Sequence, residues 1–352
     1  MKKSKKQEKK RKKLRTLILL LFLTIIMFGT STYAWFTANK VVTINSLDVH
    51  VEAGGGIQIS TDAANWKSVI TVDDIKKGYN YTGAVAVNQV PYEVTAVSTN
   101  VVPTSAGRLN MYSSIIDNNA STGDYTIKTV LEEDKGDTET AGKAGEAGKY
   151  IVFDIFLRLD SAQPVYLTPD SNVVLTDPEA TDRGLKNAAR VAFVNLGHGN
   201  SSDTAASLAA KNTPNGAILW EPNYDTHTET VVTSVAPEYG VTLTSTGENL
   251  YAAVPYRGVN AVISTAQDLK KTVNGQIQTG TESVTAQIQT KATNTEYKPF
   301  VNSMPEGVTK YRVYMWIEGQ DIDCENNATG SNISYKIQLS TTNNASASAA
   351  SN

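Results

Sequence analysis

Residues 318–327 read Glu-Gly-Gln-Asp-Ile-Asp-Cys-Glu-Asn-Asn, so Glu318, Asp321, Asp323 and Glu325 gather carboxylates beside side-chain amides. Oxygen-rich ligand sets of this kind suit Ca²⁺. Asn326 stands where an EF-hand loop requires glycine, and a solvated loop built on Asx turns is the competing reading. The three histidines are His50, His198 and His227. They form no HExxH motif, which removes the helical zinc site with a glutamate base. Asp225 and His227 could offer two ligands from one loop, with His198 as a third, although a turn role explains them as well.

Other chemistries fare worse. Between Gly136 and Gly142-Lys143 lie five residues where a phosphate loop needs four, and Ala144 replaces the magnesium-binding hydroxyl. No Gly-x-Ser-x-Gly elbow accompanies the histidines, and acids beside the single Cys324 disfavour its thiolate. Paired carboxylates also serve glycoside hydrolysis, but that needs an aromatic-lined cleft. Trp220, Trp316 and the 16 tyrosines would line one or equally fill a core. A non-enzymatic role follows, with no cofactor expected unless Ca²⁺ sits at 318–325, and a metallopeptidase or a glycan- or calcium-binding module as alternatives.

The N-terminus says where the chain goes. Ten of the 32 Lys and Arg fall in the first fifteen residues, and the apolar run from Leu17 to Phe28 follows. Thr32 and Ala34 then supply small residues at −3 and −1 of a signal-peptidase site, with Trp35 opening the mature chain. A signal peptide over 1–34 is expected, and signal peptidase is the first partner. The alternative is an uncleaved anchor, because residues 29–36 extend the weakly polar stretch to about 20 residues. The protein would then be extracellular or at the cell surface, touching membrane only through this leader.

Removing the leader leaves 22 basic and 34 acidic residues, a net of −12. Such an acidic chain is not a nucleic-acid binder, which needs clustered Lys and Arg.

Residues 35–340 suffice for a large core without disulfides, and one cysteine permits none within the chain. Thr, Ser, Asn, Val and Tyr are abundant, with short apolar alternations between turn formers, which predicts an all-β fold. In 150–159, Ile151, Phe153, Ile155, Leu157 and Leu159 share one face, while Asp154 and Arg158 take the other. Tyr311, Val313, Met315 and Ile317 alternate likewise, as does 334–339, and these last two segments are expected to pair as neighbours. Further strands are expected at 43–52, 57–61, 92–98, 165–167, 173–175, 190–196, 217–220, 241–244 and 251–254. The sum is an antiparallel β-sandwich in one elaborated domain. Helices are expected at 179–189, opened by Asp177-Pro178, and near 204–211. Polar insertions fall at 131–149, 199–216 and 265–300. The tail 341–352 lacks any apolar residue larger than alanine and is expected to be disordered.

The junction Gly29-Thr-Ser-Thr-Tyr-Ala34-Trp35-Phe36-Thr37, followed by Val41-Val-Thr-Ile-Asn-Ser-Leu-Asp-Val49, resembles the start of TasA/camelysin-like exported proteins of Gram-positive bacteria. The likeness covers about the first fifty residues. It implies a jelly-roll-like sandwich, secreted into a biofilm matrix, that forms fibres when an N-terminal strand of one subunit completes the sheet of the next. Self-association or other matrix proteins are the implied partners. Physically, an unpaired strand edge templates a further strand. Val41, Val42, Ile44, Leu47 and Val49 would then belong to the donor segment. The same residues would otherwise form an edge strand of their own domain. Camelysin-like proteins are also described as peptidases, an activity that the missing HExxH puts in doubt here.

Overall fold

The computed structural model describes residue 13 and residues 42–51, 56–79, 88–91, 93–118, 125–134, 148–177, 180–235, 256–263, 280–289, 295–324 and 332–343. The expected cleavage residues Thr32, Ala34 and Trp35, the residues Val41 and Glu325, the strands at 241–244 and 251–254, and residues 344–352 of the tail lie outside them.

The strongest alternation builds the centre. Strand β8 (Ile151–Leu159) pairs antiparallel with β17 (Gly307–Glu318), and β17 pairs on its other side with β11 (Ala189–Gly199). This sheet continues through β12 (Ala217–Glu221) to β15 (Ile288–Gln289) and, beyond β8, to β2 (Gln58–Ser60), with β5 (Ala96–Val97) also on β17. The second seven-stranded sheet runs β16 (Lys298–Met304), β9 (Gln163–Leu167), β18 (Asn332–Ser340), β1 (Val42–Val51) and β3 (Val69–Ile70). In it β10 (Asn172–Leu175) also pairs with β18, and β4 (Glu93–Val94) with β1. Two hairpin-like pairs stand apart, β6 (Met111–Asn118) with β7 (Tyr125–Glu132) and β13 (Tyr256–Val259) with β14 (Thr281–Val284). The protein is an all-β sandwich in which antiparallel pairing dominates; β1–β18, β12–β15 and β5–β17 are parallel.

One apolar core joins the two sheets. Ile151, Phe153, Ile155 and Leu157 of β8 and Tyr311, Val313 and Met315 of β17 meet Val165, Tyr335, Ile337 and Leu339 of the facing sheet. Phe193 sets its ring edge-on to Phe300 across this layer, with centroids 4.9 Å apart. Strand alternation accounts for that face. The opposite face of the β8–β17–β11 sheet is also covered, so Tyr150, Val152, Val194, Tyr314 and Trp316 form a second buried cluster with Leu109 and Met111.

Several expectations change. β17 and β18 are not neighbours: they lie in different sheets, β17 flanked by β8 and β11, and Tyr335 Oη donates to Trp316 O at 3.4 Å. The helix expected over 179–189 is absent among its described residues, which run irregularly into a turn at 185–187 before Ala189 opens β11. Gly184 sits at φ +93°, and a Cβ there would lie 2.5 Å from Asp323 O, so a left-handed residue in close backbone contact interrupts the helical pattern.

The helix near 204–211 forms as α2 (Ala205–Ala209), capped by Thr204. Helix α1 (Val72–Lys76) carries a reciprocal Thr71–Asp74 capping box. The β6–β7 pair had no strand assigned to it from sequence. Of the insertion at 131–149, the first two residues complete β7, and 135–147 lie outside the described residues.

Candidate functional site

Two regions carry the residues singled out by sequence. The first is the N-terminal strand. β1 runs parallel to β18 from Thr43 opposite Asn332 to Val51 opposite Leu339, with an irregularity between Ile44 and Ser46. Its other side pairs with only two residues of β3 and two of β4. The strand of the expected donor segment therefore belongs to a sheet of its own chain: Val49 is paired on both flanks, Ile44 and Leu47 with β18 alone, and Val42 with β4. β18 is covered on its far side by β9 and β10, so β1 alone caps its remaining edge among the described residues.

The second region is the acidic stretch after β17. Glu318 is fully buried and accepts from Trp316 Nε1 and from the amide of Gln320, each at 2.9 Å. Burial pushes its carboxyl up to about 7, against the opposing help of hydrogen bonds from Ser98, Trp316 and Gln320 and the charge of Arg190. Asp321 pairs with Arg190 and receives the Asp323 amide at 2.8 Å. Arg190, itself buried at the start of β11, also meets Glu221 at 2.6 Å and donates to the carbonyls of Asn187 and Ala189.

Asp323 has a separate set of partners. His227 Nδ1 lies 2.5 Å from its Oδ2, while the Thr228 amide and Asn187 Nδ2 reach its Oδ1 at 3.2 and 3.4 Å. Burial pushes this carboxyl up to about 6; the hydrogen bond from His227 opposes that, and the neighbouring Asp321 charge adds to it.

Thus Glu318, Asp321 and Asp323 turn to different partners instead of converging on one centre. Among the described residues no group of three or more His, Cys, Asp or Glu is placed to hold a metal ion. His198 faces Thr309 at 3.3 Å near the far end of β11 and does not join His227. The turn that carries His227 is tied down twice more, because Asn223 Nδ2 donates to Val173 O on β10 and to Lys186 O, each at 2.9 Å. These contacts link the ends of β11, β12 and β17 to β10 of the opposite sheet.

Sequence reasoning missed a third group, on the covered face of the β8–β17 pair. Asp154 takes a two-pronged contact from Arg312, at 2.8 and 3.2 Å, and Lys310 Nζ at 3.0 Å. Lys310 also donates to Ala209 O and Lys211 O, and Arg312 to Gly107 O. Burial lowers the Lys310 ammonium, partly offset by the attraction of Asp154. Nearby, a cleft of about 330 Å³ is lined by Arg108, Leu109, Asn110, Leu131, Glu132, Glu133 and Asp134. Asp134 is engaged by Arg108, Tyr150 Oη at 2.5 Å and Tyr314 Oη at 3.3 Å. These are closed ion-pair networks, suited to holding loops on the sheet.

Among the described residues no helix is long and apolar enough to cross a membrane. No family model matches this chain, and no curated protein or solved structure matches it either.

Proposed function

We propose that this protein is an exported structural component of the cell surface or extracellular matrix, able to self-assemble by passing β1 into the sheet of a second copy. The placement of β1 supports this reading. It is bonded along nearly its whole length to β18, yet held on the other side through only four residue pairs. Withdrawal would bare the β18 edge from Asn332 to Leu339, and the same strand from another copy restores every bond that was lost. Exchange of identical elements is therefore close to neutral in contact energy and governed by concentration and by the connecting segment. The acidic mature composition and the leader junction resembling TasA/camelysin-like proteins agree with export to the surface.

The register supplies the test. Ser46→Cys combined with Ser334→Cys places thiols at paired positions of β1 and β18. In the exported product, exchange predicts filaments by negative-stain microscopy and a ladder of disulfide-linked multimers on a non-reducing gel. Intramolecular cross-linking alone, with strictly monomeric protein at every concentration, pH and salt tried, would sink the assembly reading.

A further inference from the structure

Two buried carboxylates, Asp321 and Asp323, stand in one turn, where the Asp323 amide donates to Asp321. Asp323 meets His227 and, as neutral donors, Asn187 and the Thr228 amide, while Asp321 is engaged by Arg190, which also meets Glu221. With both acids of the turn ionised, the Asp321 charge bears on Asp323 in a buried place. Interactions of like charges are severe there because burial weakens screening. A proton on Asp323 relieves the repulsion from Asp321.

We infer that the His227–Asp323 contact is a proton-held clasp between the 221–228 turn and the 318–324 turn, closed under mildly acidic conditions and loosened as the pH rises. The clasp matters beyond its two residues. Its turn also binds β10 through Asn223, so it helps fasten one sheet to the other at this end of the sandwich. The direction follows from linkage. A buried carboxyl that binds its proton more tightly closed than open favours the closed form at low pH, and that preference fades as the pH rises through the closed-form value. This inference is independent of fibre formation.

Hydrogen exchange followed by mass spectrometry tests it on the full chain, expressed with its leader and recovered as the cell makes it. After correction for the intrinsic pH dependence of exchange, peptides covering 221–228 should exchange at least about tenfold more slowly at pH 5 than at pH 8. Peptides from β8 and β17 should not change in step. Asp323→Asn keeps the hydrogen-bonding shape without the charge and should stay protected at both values. A flat profile in the wild type, or an undiminished slope in Asp323→Asn, overturns the clasp. Should the variant not fold, the wild-type His227 ring signal decides by NMR: titration coupled to a second group supports the clasp, and one unperturbed step near pH ~6.5 refutes it.

Discussion

Replacing Glu318 by glutamine should flatten the loss of stability that wild type shows toward alkaline pH, although it removes a charge that the arginine of this cluster favours. Glu318 is buried, and its carboxyl rises from an ordinary 4.5 to about 7 because ionising it there means stripping it of water. The sign follows directly. A carboxyl with a raised folded value contributes fully below its unfolded value near 4.5, and the contribution disappears as the pH climbs through 7. A rise of that size corresponds to about 3 kcal/mol between the two limits. Glutamine never ionises, but its single acceptor oxygen can serve only one of Trp316 Nε1 and the Gln320 amide, which bond different oxygens of Glu318, so the variant carries a constant cost at every pH. In urea denaturation Glu318→Gln should therefore gain about 2–3 kcal/mol on wild type between pH 5 and pH 8, on top of that constant cost. Equal differences at the two pH values would refute the reasoning.

Arg190→Met leaves Asp321 and Glu221 buried without their counter-charge and should cost about 3–5 kcal/mol in urea denaturation at pH 7; a loss below about 1 kcal/mol would show that water reaches the site. Gly184→Ala puts a methyl 2.5 Å from Asp323 O at φ +93° and should lower stability by about 1–3 kcal/mol, with the same change at Gly216, where nothing lies within 4 Å, measuring the backbone share alone. Phe193→Ala removes the ring that meets Phe300 between the sheets and should cost about 3–5 kcal/mol by thermal denaturation. Because Glu318, Asp321 and Asp323 are engaged by separate partners, a chelator should leave the melting temperature unchanged. A marked drop would locate a calcium site involving these acids after all.

Local pattern was legible where one face of a strand decides the residue type. The alternations in β8, β17 and β18 belong to that class, and the structure contains each of them, as it does a short helix near 204–211. Which strand lies beside which was not legible, because pairing depends on contacts far apart in sequence; β1 takes the flank of β18 expected for β17. The period-two reading also left Asp154 on a face opposite the core. There the 88–91 and 101–112 segments and α2 cover the sheet, so Asp154, Lys310 and Arg312 become an interior ion cluster.

The acidic stretch at 318–325 was visible as chemistry, yet its meaning depended on Arg190, Glu221 and His227, which stand about a hundred residues or more earlier. The opening signal of Asp177-Pro178 misled at 179–189 because it took no account of the close approach at Gly184.

The parallel pairing of β1 with β18 also bears on timing. Among the described strands β1 comes first and its partner β18 last, so that sheet cannot close until β18 has left the ribosome. Under the export proposed above, this order would withhold the last pairing of the sheet until β18 has crossed the membrane. The waiting time also exposes an unfilled β18 edge or an unattached β1 to any neighbouring copy at the same stage. Assembly between copies would then be easiest at the moment of emergence and harder once each chain has closed on itself.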